Sequence, residues 1–398
     1  MNDNFDYDIL IIGGYGHIGL PMGIVLADCG FQVALYDIDK SKEPMIRAGE
    51  MPFLEYDAEP ILKRVIGKTL HLADDLSAVA KSRSLVITIG TPLDEYMNPK
   101  LLPMFQLIDD LTPYLQPGHH IILRSTVYPG TTKRLHDYLT GLGHAVELSF
   151  CPERIAQGYA IREYAKLPQI ISGFSQQAID QSVEIFKATG QTLIVVEVLE
   201  AELTKLFSNA WRYIQFATAN QFYMIAVDNG ADFDRIHHAL TFGYDRAKDF
   251  PTPGFAAGPC LLKDTMQLTA FYKNNFQLGH NAMLINEGLP AFLVDTLQQE
   301  YDLTQETVGI LGMAFKADVD DIRDALSYKL GKLLRFHGAN VLYSDEFAQD
   351  PTFISKEDLV AQSSIVIVGV PHSAYRTLDI PNTVHLVDIW GLFSKNGQ

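Results

Sequence analysis

The sequence has few cysteines, no hydrophobic run long enough to cross a membrane, and too few basic residues to balance its acids. Its three cysteines, Cys29, Cys151 and Cys260, show neither metal-ligand spacing nor an even disulfide framework, so we expect no metal site and a reducing cytoplasm. The longest apolar runs have the length of strands, and the N-terminal residues lack the pattern of a signal peptide, so no membrane association is expected. The net charge of −17 argues against a nucleic-acid or anionic-membrane partner.

A glycine-rich turn after the first predicted strand indicates a dinucleotide site. Residues 7–12 form a β-branched apolar run, and Gly14, Gly16 and Gly19 follow it as G-x-G-x-x-G before an amphipathic helix. The first glycine allows the tight turn, the second admits a pyrophosphate, and the third lets helix and strand pack closely. The next strand ends in Asp37, whose carboxylate would accept hydrogen bonds from the adenosine ribose and repel a 2′-phosphate. The cofactor predicted from these residues is therefore NAD.

The first half of the chain reads as a doubly wound parallel sheet. Strand-like runs alternate with helical or turn-rich stretches, and a last strand of this half is expected at 192–198. Thr91, Thr126 and Glu153 each follow the end of such a run, and we expect the topology to bring Thr126 and Glu153 towards one crevice. The alternative for the threonines is helix capping, and for Glu153 an ordinary first-turn acid. The runs that precede them lie at 85–90, 120–126 and 145–150.

Residues 200–230 read as one long helix, since they contain no proline, no internal glycine, and apolar residues at helical spacing. Its length suits a spine that joins two domains or pairs two subunits. Lys205 and Asn209 are four positions apart and share one face, with Glu202 a turn before them. The alternative is a solvated polar stripe.

The β/α pattern returns after about residue 303 and predicts a second, smaller doubly wound sheet. A capped helix is expected over 318–338, and Lys316, Arg323 and Asp345 are expected on the crevice side of this sheet. The predicted division is a Rossmann-like NAD-binding domain over 1–198, a helical central domain over 199–302, and an α/β domain over 303–398.

Cys260 stands among small residues that would leave space around its sulfur. Lys263 and Asp264 follow three and four positions later. A nearby lysine or a helix N-terminus favours the reactive thiolate. The alternative is a small hydrophobic residue in a core, which is the usual role of a lone cysteine.

Ten segments of the chain, taken in order, form a recognisable set. They are GGYGHIGLPMG, the GTP turn at 90–92, STVYPGTT, CPERIAQG, LPQIISG, AELTKLFSNA, YDR at 244–246, PGFAAGPCLLKD, LGMAFKADVDDIRDA and VLYSD. With these segments the chain resembles the UDP-glucose/GDP-mannose dehydrogenase family over nearly its full length. The resemblance implies NAD-dependent, four-electron oxidation of C6 of a nucleotide sugar to a uronate, for a surface polysaccharide, by a homodimer or larger homo-oligomer. It also implies that 303–398 is a UDP-sugar-binding domain and 199–302 the dimerisation domain.

The resemblance also assigns roles to individual residues. It implies that Cys260 is a nucleophile forming a thiohemiacetal and then a thioester, with Lys205 and Asn209 stabilising oxyanions and Asp264 or Glu153 accepting protons. Thr126 completes the catalytic set. The implied cofactor residues are Gly14, Gly16, His17, Ile18, Gly19, Asp37, Thr91, Thr126 and Arg323. The implied substrate residues are Glu153, Arg154, Lys205, Asn209, Arg246, Phe255, Gly258 and Lys316, with Arg246 reaching across a subunit interface.

The chain departs from the family pattern beside the nucleophile and before the STV turn. The departures are Ala256, Ala257, Pro259, Leu262 and Arg124. CPER is similar to members acting on UDP-N-acetylhexosamines, whereas LLKD is similar to the UDP-glucose type, so both sugars stay open.

Two other functions stay open as well. One is a two-electron hydroxyacid-type dehydrogenase that would need no thiol. The other is a nucleotide-sugar-binding protein that has lost catalysis, which the altered surround of Cys260 motivates. Replacing Cys260 separates the first alternative from the uronate-forming reaction.

Overall fold

The computed structural model describes residues 5–91, 94 and 100–393, and the chain divides into two compact units. Unit 1 is Met1–Phe207 and unit 2 is Ser208–Gln398. The boundary falls inside one helix, α8, which runs from Val198 to Asp228. The predicted three-domain boundaries at 198/199 and 302/303 stay predictions. No helix in the described ranges is both long and apolar enough to cross a bilayer.

Unit 1 is built on a six-stranded parallel sheet with the spatial order β3-β2-β1-β4-β5-β6. Its order reverses between β1 and β4, which is where doubly wound sheets bind ligands beyond their carboxyl ends. A separate two-stranded sheet pairs β7 with β8. The elements are β1 Tyr7–Ile12, α1 Gly19–Asp28, β2 Val33–Tyr36, α2 Glu43–Arg47, α3 Ala58–Val65, β3 Leu70–Leu72, β4 Ser82–Ile87, α4 Leu102–Leu111, β5 His120–Leu123, α5 Thr131–Gly141, β6 Glu147–Phe150, α6 Ala160–Tyr164, β7 Gln169–Ile171, α7 Gln176–Lys187, β8 Leu193–Val195 and the start of α8.

The strand β1 explains why the sheet is buried on both faces. Ile9 and Ile11 belong to one hydrophobic cluster, and Leu10 and Ile12 belong to another on the opposite face. Alternate side chains of a strand point to opposite faces, so a continuous apolar run indicates a sheet covered on both sides. This confirms the predicted doubly wound architecture.

The last strand predicted for this half is wrong in its placement. Residues 192–198 contribute only β8, which pairs with β7 outside the six-stranded sheet. There Ile194 and Val195 are exposed, so the apolar run did not mark a buried strand. The short strands β3 and β7 have three residues each, which is too few for a periodic pattern.

The other predicted strands of unit 1 end within a few residues of the observed ones. The strand expected over 120–126 ends at Leu123, because the next two backbone N–H groups leave the ladder. Both Arg124 and Ser125 donate to the carbonyl of Ile87, at 3.0 and 3.2 Å. This convergence starts the loop that carries Thr126.

The part of α8 in unit 2 has two distinct faces. Asn209, Tyr213 and Asn220 are buried, and their spacing of four and seven residues puts them on one side of the helix. Trp211 and Phe222 are exposed, and lie roughly 180° around the helix from that side at 100° per residue. The helix predicted over 200–230 is thus confirmed, with one polar buried face and one apolar exposed face.

Unit 2 combines helices with a four-stranded parallel sheet of order β10-β9-β11-β12. Its core packs side chains of α11 and α12 against β9 and β11. Besides the end of α8, the elements are α9 Phe233–Thr241, α10 Leu261–Phe271, α11 Gln277–Glu300, β9 Thr307–Leu311, α12 Leu326–Phe336, β10 Asn340–Ser344, α13 Lys356–Gln362, β11 Ile365–Val368 and β12 His385–Val387.

The helix predicted over 318–338 begins later than expected. Asp318 and Asp324 have left-handed backbone, with φ of 56° and 53°, and a right-handed helix does not continue through such residues. α12 therefore starts at Leu326, while its end before Gly338 agrees with the prediction. The residues before it form a loop, which places Arg323 on that loop and not on a helix.

Asp345 was expected on the crevice side of this sheet, but its carboxylate is buried and links the loops that follow β9 and β10. Its side chain is fully buried and bonds to His372 Nε2 at 3.0 Å. Burial alone would raise its pKa, but hydrogen bonds from His372 and from backbone N–H groups lower the pKa of Asp345 to about 2. The backbone donors belong to Met313, Ala314, Phe347 and Ala348.

Replacing Asp345 by Asn is expected to lower the free energy of unfolding by about 2–3 kcal/mol at pH 7. The depressed pKa means that the carboxylate stabilises the fold above pH ~4 and loses this contribution as the pH falls towards 2. The gap between wild type and Asp345→Asn, measured by urea unfolding, should therefore narrow below pH 4. Asp249→Asn, at an exposed aspartate of the same unit, is the control. An equal gap at pH 7 and pH 3 would contradict this account.

Candidate active site

The glycine turn of unit 1 has no room for side chains at two of its motif positions. A Cβ on Gly19 would lie 2.3 Å from the carbonyl oxygen of Gly13, and one on Gly14 would lie 2.8 Å from Leu35 Cβ. The backbone of the turn is thus packed directly against β1 and β2. Ile18 occupies the N-cap position of α1 and makes no side-chain cap bond, which leaves the helix N-terminus to an external anion.

Asp37 lies beside this turn. One carboxylate oxygen accepts from the backbone N–H of Tyr15 at 3.0 Å, and the other accepts from Asp39 N–H at 3.0 Å. Each carboxylate oxygen keeps a further acceptor position, which is what a ribose diol requires. His17 lies in the same turn, with its ring centroid 4.0 Å from that of Phe53. These residues fit a dinucleotide with a free ribose diol.

The loops after β4 and β5 meet at the carboxyl edge of the sheet. Thr91 Oγ1 donates to the carbonyl oxygen of Thr126 at 2.5 Å. The loops after these two strands are therefore in direct contact. Pro92, of the same predicted turn, lies outside the described residues.

Glu202 links the start of α8 to the turn after Thr126. Its buried carboxylate accepts from the N–H of Gly130 at 2.6 Å, and from the N–H and hydroxyl of Thr132 at 2.9 and 2.5 Å, so it caps α5. Burial raises the pKa of Glu202 despite these bonds. The cap fixes the helix turn that carries Lys205. Sequence reasoning placed Glu202 in a polar stripe; the small-residue turn PGTT was the available signal for a helix start that needs a cap.

Glu153 is paired with a buried arginine that sequence reasoning noted only as a departure. The guanidinium of Arg124, at the end of β5, bonds to the Glu153 carboxylate, and both side chains are almost fully buried. The other Glu153 oxygen accepts from the N–H groups of Arg154 and Ile155 at 2.7 and 3.0 Å. Tyr164 donates its hydroxyl at 3.1 Å. Both carboxylate oxygens are therefore engaged inside the protein.

The electrostatic consequence is a weakly basic carboxylate. Burial by itself would raise the pKa of Glu153. The positive charge of Arg124 and the two backbone donors outweigh this effect and bring the pKa below its usual range. Arg124 also bonds to the carbonyl of Cys151 and to Gln169, and its guanidinium lies 4.9 Å from the ring centroid of Phe186. The pair thus joins the ends of β5 and β6. The guanidinium of Arg154 points to the carbonyl of Pro168.

In unit 2, Cys260 occupies the N-cap position of α10 and is exposed. A helix N-terminus favours a thiolate over a thiol. One turn on, the fully buried Asp264 accepts a hydrogen bond from Asn209 Nδ2 at 2.5 Å. Lys263 Nζ lies 3.6 Å from the other oxygen of Asp264. The structure therefore brings Cys260, Asp264 and Asn209 together.

The loop before α12 lies against the segment that carries Cys260. Gly258 has φ +96° and donates its N–H to the carbonyl of Asp324 at 3.3 Å, and its Cα is covered by the ring of Phe315, next to Lys316. Arg323 makes a two-pronged ion pair with Asp321, with a closest distance of 2.6 Å. This ion pair is the main cause, and the nearby Cys260 sulfur a smaller one, of the raised pKa of Arg323.

Two of the residues predicted to bind substrate, Phe255 and Arg246, make none of the contacts described above. Phe255 is 4% exposed and belongs to the hydrophobic core of unit 2, so its ring offers no open binding surface. Arg246 is exposed in the turn segment after α9. The binding roles assigned to both residues stay predictions.

The order of the sheet, the side-chain-free glycine turn and the acceptor at Asp37 define unit 1 as the cofactor unit of a nicotinamide dinucleotide-dependent dehydrogenase. The chain matches three sequence profiles of one family. Their descriptions are the NAD binding domain over residues 8–189, the central domain over 199–288 and the UDP binding domain over 309–394. The chain belongs to the UDP-glucose/GDP-mannose dehydrogenase family and is an NAD-dependent nucleotide-sugar dehydrogenase.

Individual relatives agree with this assignment. The chain is 29% identical to UDP-N-acetyl-D-mannosamine dehydrogenase of Pyrococcus horikoshii over 92% of this chain and 90% of that protein. A solved structure of the P. horikoshii UDP-D-ManNAc dehydrogenase superposes with a TM-score of 0.88 at 26% identity, covering 97% of this chain and 96% of that one. A UDP-glucose dehydrogenase structure from Pyrobaculum islandicum has the same fold, with a TM-score of 0.88 at 24% identity and coverages of 98% and 95%.

Replacing Glu153 by Gln is expected to destabilise the protein by about 3–5 kcal/mol, because it leaves the Arg124 charge buried without a counter-charge. The control is Glu184→Gln, which breaks the exposed ion pair of Glu184 with Arg83 at 3.1 Å and should cost about 0–1 kcal/mol. Urea unfolding at pH 7 measures both. An equal loss in the free energy of unfolding for the two variants would contradict the claim that the buried pair stabilises the fold more than an exposed one.

Proposed function

We propose that this protein oxidises C6 of a UDP-N-acetylhexosamine to the carboxylate through a covalent intermediate on Cys260. The observation that carries the proposal is the cluster in which Cys260 begins α10 and Asp264, one turn later, binds Asn209. The P. horikoshii relative and structure, named for UDP-N-acetylmannosamine, support this sugar class. UDP-N-acetyl-D-mannosamine is the first candidate, and UDP-glucose is the alternative.

The chemistry requires a nucleophile because an alcohol becomes an acid in two oxidations. One CH₂OH group, one water and two NAD⁺ give one carboxylate, two NADH and three protons. NAD⁺, when bound, supplies the hydride acceptor for each oxidation. After the first oxidation, the Cys260 thiolate adds to the C6 aldehyde and a C–S bond forms, giving a thiohemiacetal. The second oxidation makes a thioester, and water breaks the C–S bond and releases the thiolate.

The surrounding side chains have separate tasks in this proposal. Lys205 and Asn209 donate hydrogen bonds to the oxyanion that develops at C6. Asp264 accepts protons, since both oxygens of Glu153 are already bonded to Arg124, Tyr164 and backbone N–H groups. Glu153 and Arg154 then act by holding the loop after β6.

In this proposal a separate set of residues binds the cofactor and the phosphate groups. Gly14, Gly16 and Gly19 admit the pyrophosphate, together with the turn at His17 and Ile18, and Asp37 takes the ribose. Thr91 and Thr126 lie at the carboxyl edge of the sheet, where the nicotinamide binds in such folds. Lys316 and Arg323 are proposed to bind phosphate groups, in agreement with their charge.

We propose a cytoplasmic location, because the mechanism needs Cys260 as a free thiol. A UDP-uronate is an activated sugar, which suits the synthesis of a polysaccharide.

We also propose that two copies of the chain pair through the exposed face of α8. Trp211, Phe222 and Ile225 lie on this face with 61%, 46% and 53% exposure, and the Phe222 ring stacks on Phe250 at 5.6 Å. Large side chains clustered on one helix face are typical of a surface that a partner covers. The exposed turn with Arg246 would then be free to serve the neighbouring copy.

Purified protein should form about two NADH for each UDP-N-acetyl-D-mannosamine consumed. The panel includes UDP-GlcNAc, UDP-GalNAc, UDP-glucose and GDP-mannose, with NADH followed by absorbance and the sugar by chromatography. Cys260→Ser should lower uronate formation by about 10³-fold or more, whereas Cys29→Ser, at an exposed cysteine, should not change it. A ratio near one, or uronate formed by Cys260→Ser at the normal rate, would contradict the thioester route.

The double variant Trp211→Glu/Phe222→Glu is expected to be monomeric, because charges on the proposed contact face would be buried on pairing. Light scattering after size-exclusion chromatography measures the mass of both proteins. Phe336→Glu is the control, since Phe336 is 84% exposed on α12 of the same unit. A dimer that survives the double variant, or that is lost in the control, would disprove the proposed contact.

A further inference from the structure

The segment that leads to Cys260 is buried although it has no regular secondary structure. Residues 251–257 belong to no helix or strand, and Pro253 to Ala256 are buried. A buried irregular backbone needs partners for its N–H and C=O groups, because an unpaired one costs about as much as a lost hydrogen bond. The segment therefore depends on side chains from other elements.

Asn220 supplies these bonds from the buried face of α8. Its Oδ1 accepts from the N–H of Gly254 at 2.8 Å, and its Nδ2 donates to the carbonyl of Gly254 at 3.0 Å. The second Nδ2 hydrogen goes to Asn286 Oδ1 at 2.9 Å, and Asn286 Nδ2 donates to the carbonyl of Tyr213 at 3.0 Å. Both asparagines are fully buried. The Asn220 amide thus bonds to both backbone polar groups of Gly254, and the Asn286 amide on α11 in turn fixes Asn220.

Two aromatic rings hold the same segment from other sides. A Cβ on Gly254 would lie 2.2 Å from the ring of Trp390, whose Nε1 donates to the carbonyl of Gly369 at 3.2 Å. A Cβ on Gly258 would lie 2.5 Å from the ring of Phe315. Gly254 is therefore confined between Asn220 and Trp390, six residues before the nucleophile.

We propose that Asn220 is a positioning residue for Cys260: its two-way amide bond to Gly254 sets where the segment enters α10 and so holds the thiol at the helix N-terminus. The inference rests on the proposed function of Cys260. Asn209 and Asn220 then act on both sides of the nucleophile from one face of α8, the first through Asp264 and the second through Gly254. Asn220 itself touches neither the thiol nor a substrate.

The test uses the full-length protein in a Cys29→Ser background, which leaves Cys260 as the exposed cysteine, since Cys151 is buried. Asn220→Ala removes both bonds to Gly254, and Asn220→Asp removes the one that Nδ2 donates. We expect kcat to fall on the order of 10²-fold with little change in KM, because misplacing a reacting group by about 1 Å costs that much. The rate at which iodoacetamide alkylates Cys260 should fall several-fold as the thiol leaves the helix N-terminus.

Asn229→Asp is the matched control, because it makes the same chemical change at an exposed asparagine that donates to Ile225. Circular dichroism and the midpoint of thermal unfolding, which cover both units, report that each variant is folded. An Asn220 variant that is folded but keeps both its kcat and its alkylation rate overturns the proposal. Should the parent protein itself oxidise no sugar, the proposed function fails, while the alkylation rates still decide whether Asn220 positions the thiol.

Discussion

The thiol site of unit 2 depends on the hydrogen bonds that the buried polar face of α8 makes. Amides in a buried environment are stable only when their hydrogen bonds are made, so each one fixes its partner. Asn209 fixes Asp264 on the first turn of α10, and Asn220 fixes Gly254 before it. Cys260 lies between these two attachments. The position of Cys260 therefore follows from a single helix whose opposite face is apolar and exposed.

Unit 1 reaches comparable rigidity by a different means. Its glycine turn is fixed because no space is left for side chains. Gly19 packs against the backbone of Gly13, and Gly14 packs against Leu35 of β2. Farther along the sheet, buried charges fix the loops: Glu202 caps α5, and Arg124 joins Glu153 across the ends of β5 and β6. Such groups are costly to bury unless they are fully paired. Both devices fix loops at the carboxyl edge of the sheet, where doubly wound sheets bind their ligands.

Local patterns made much of this predictable from the sequence. The strand, glycine turn and Asp37 are close along the chain, and so are Cys260 and Asp264, so short motifs were sufficient. The pairs that join distant segments were not predictable: Arg124 and Glu153 are 29 positions apart, and Asn220 and Gly254 are 34 apart. A lone asparagine in an apolar helix looks the same in sequence whether its face is buried or solvated. The late start of α12 was missed because two aspartates adopt left-handed backbone, which composition does not reveal.

Mass spectrometry of acid-quenched protein tests the central claim, a thioester on Cys260, most directly. Asp264→Asn should slow the hydrolysis step, so the intermediate accumulates when the variant meets UDP-N-acetyl-D-mannosamine and NAD⁺. The account predicts a burst of two NADH per subunit and a Cys260 peptide that carries the UDP-uronyl group. Free uronate and two NADH per sugar, with the Cys260 peptide unmodified throughout, would contradict it.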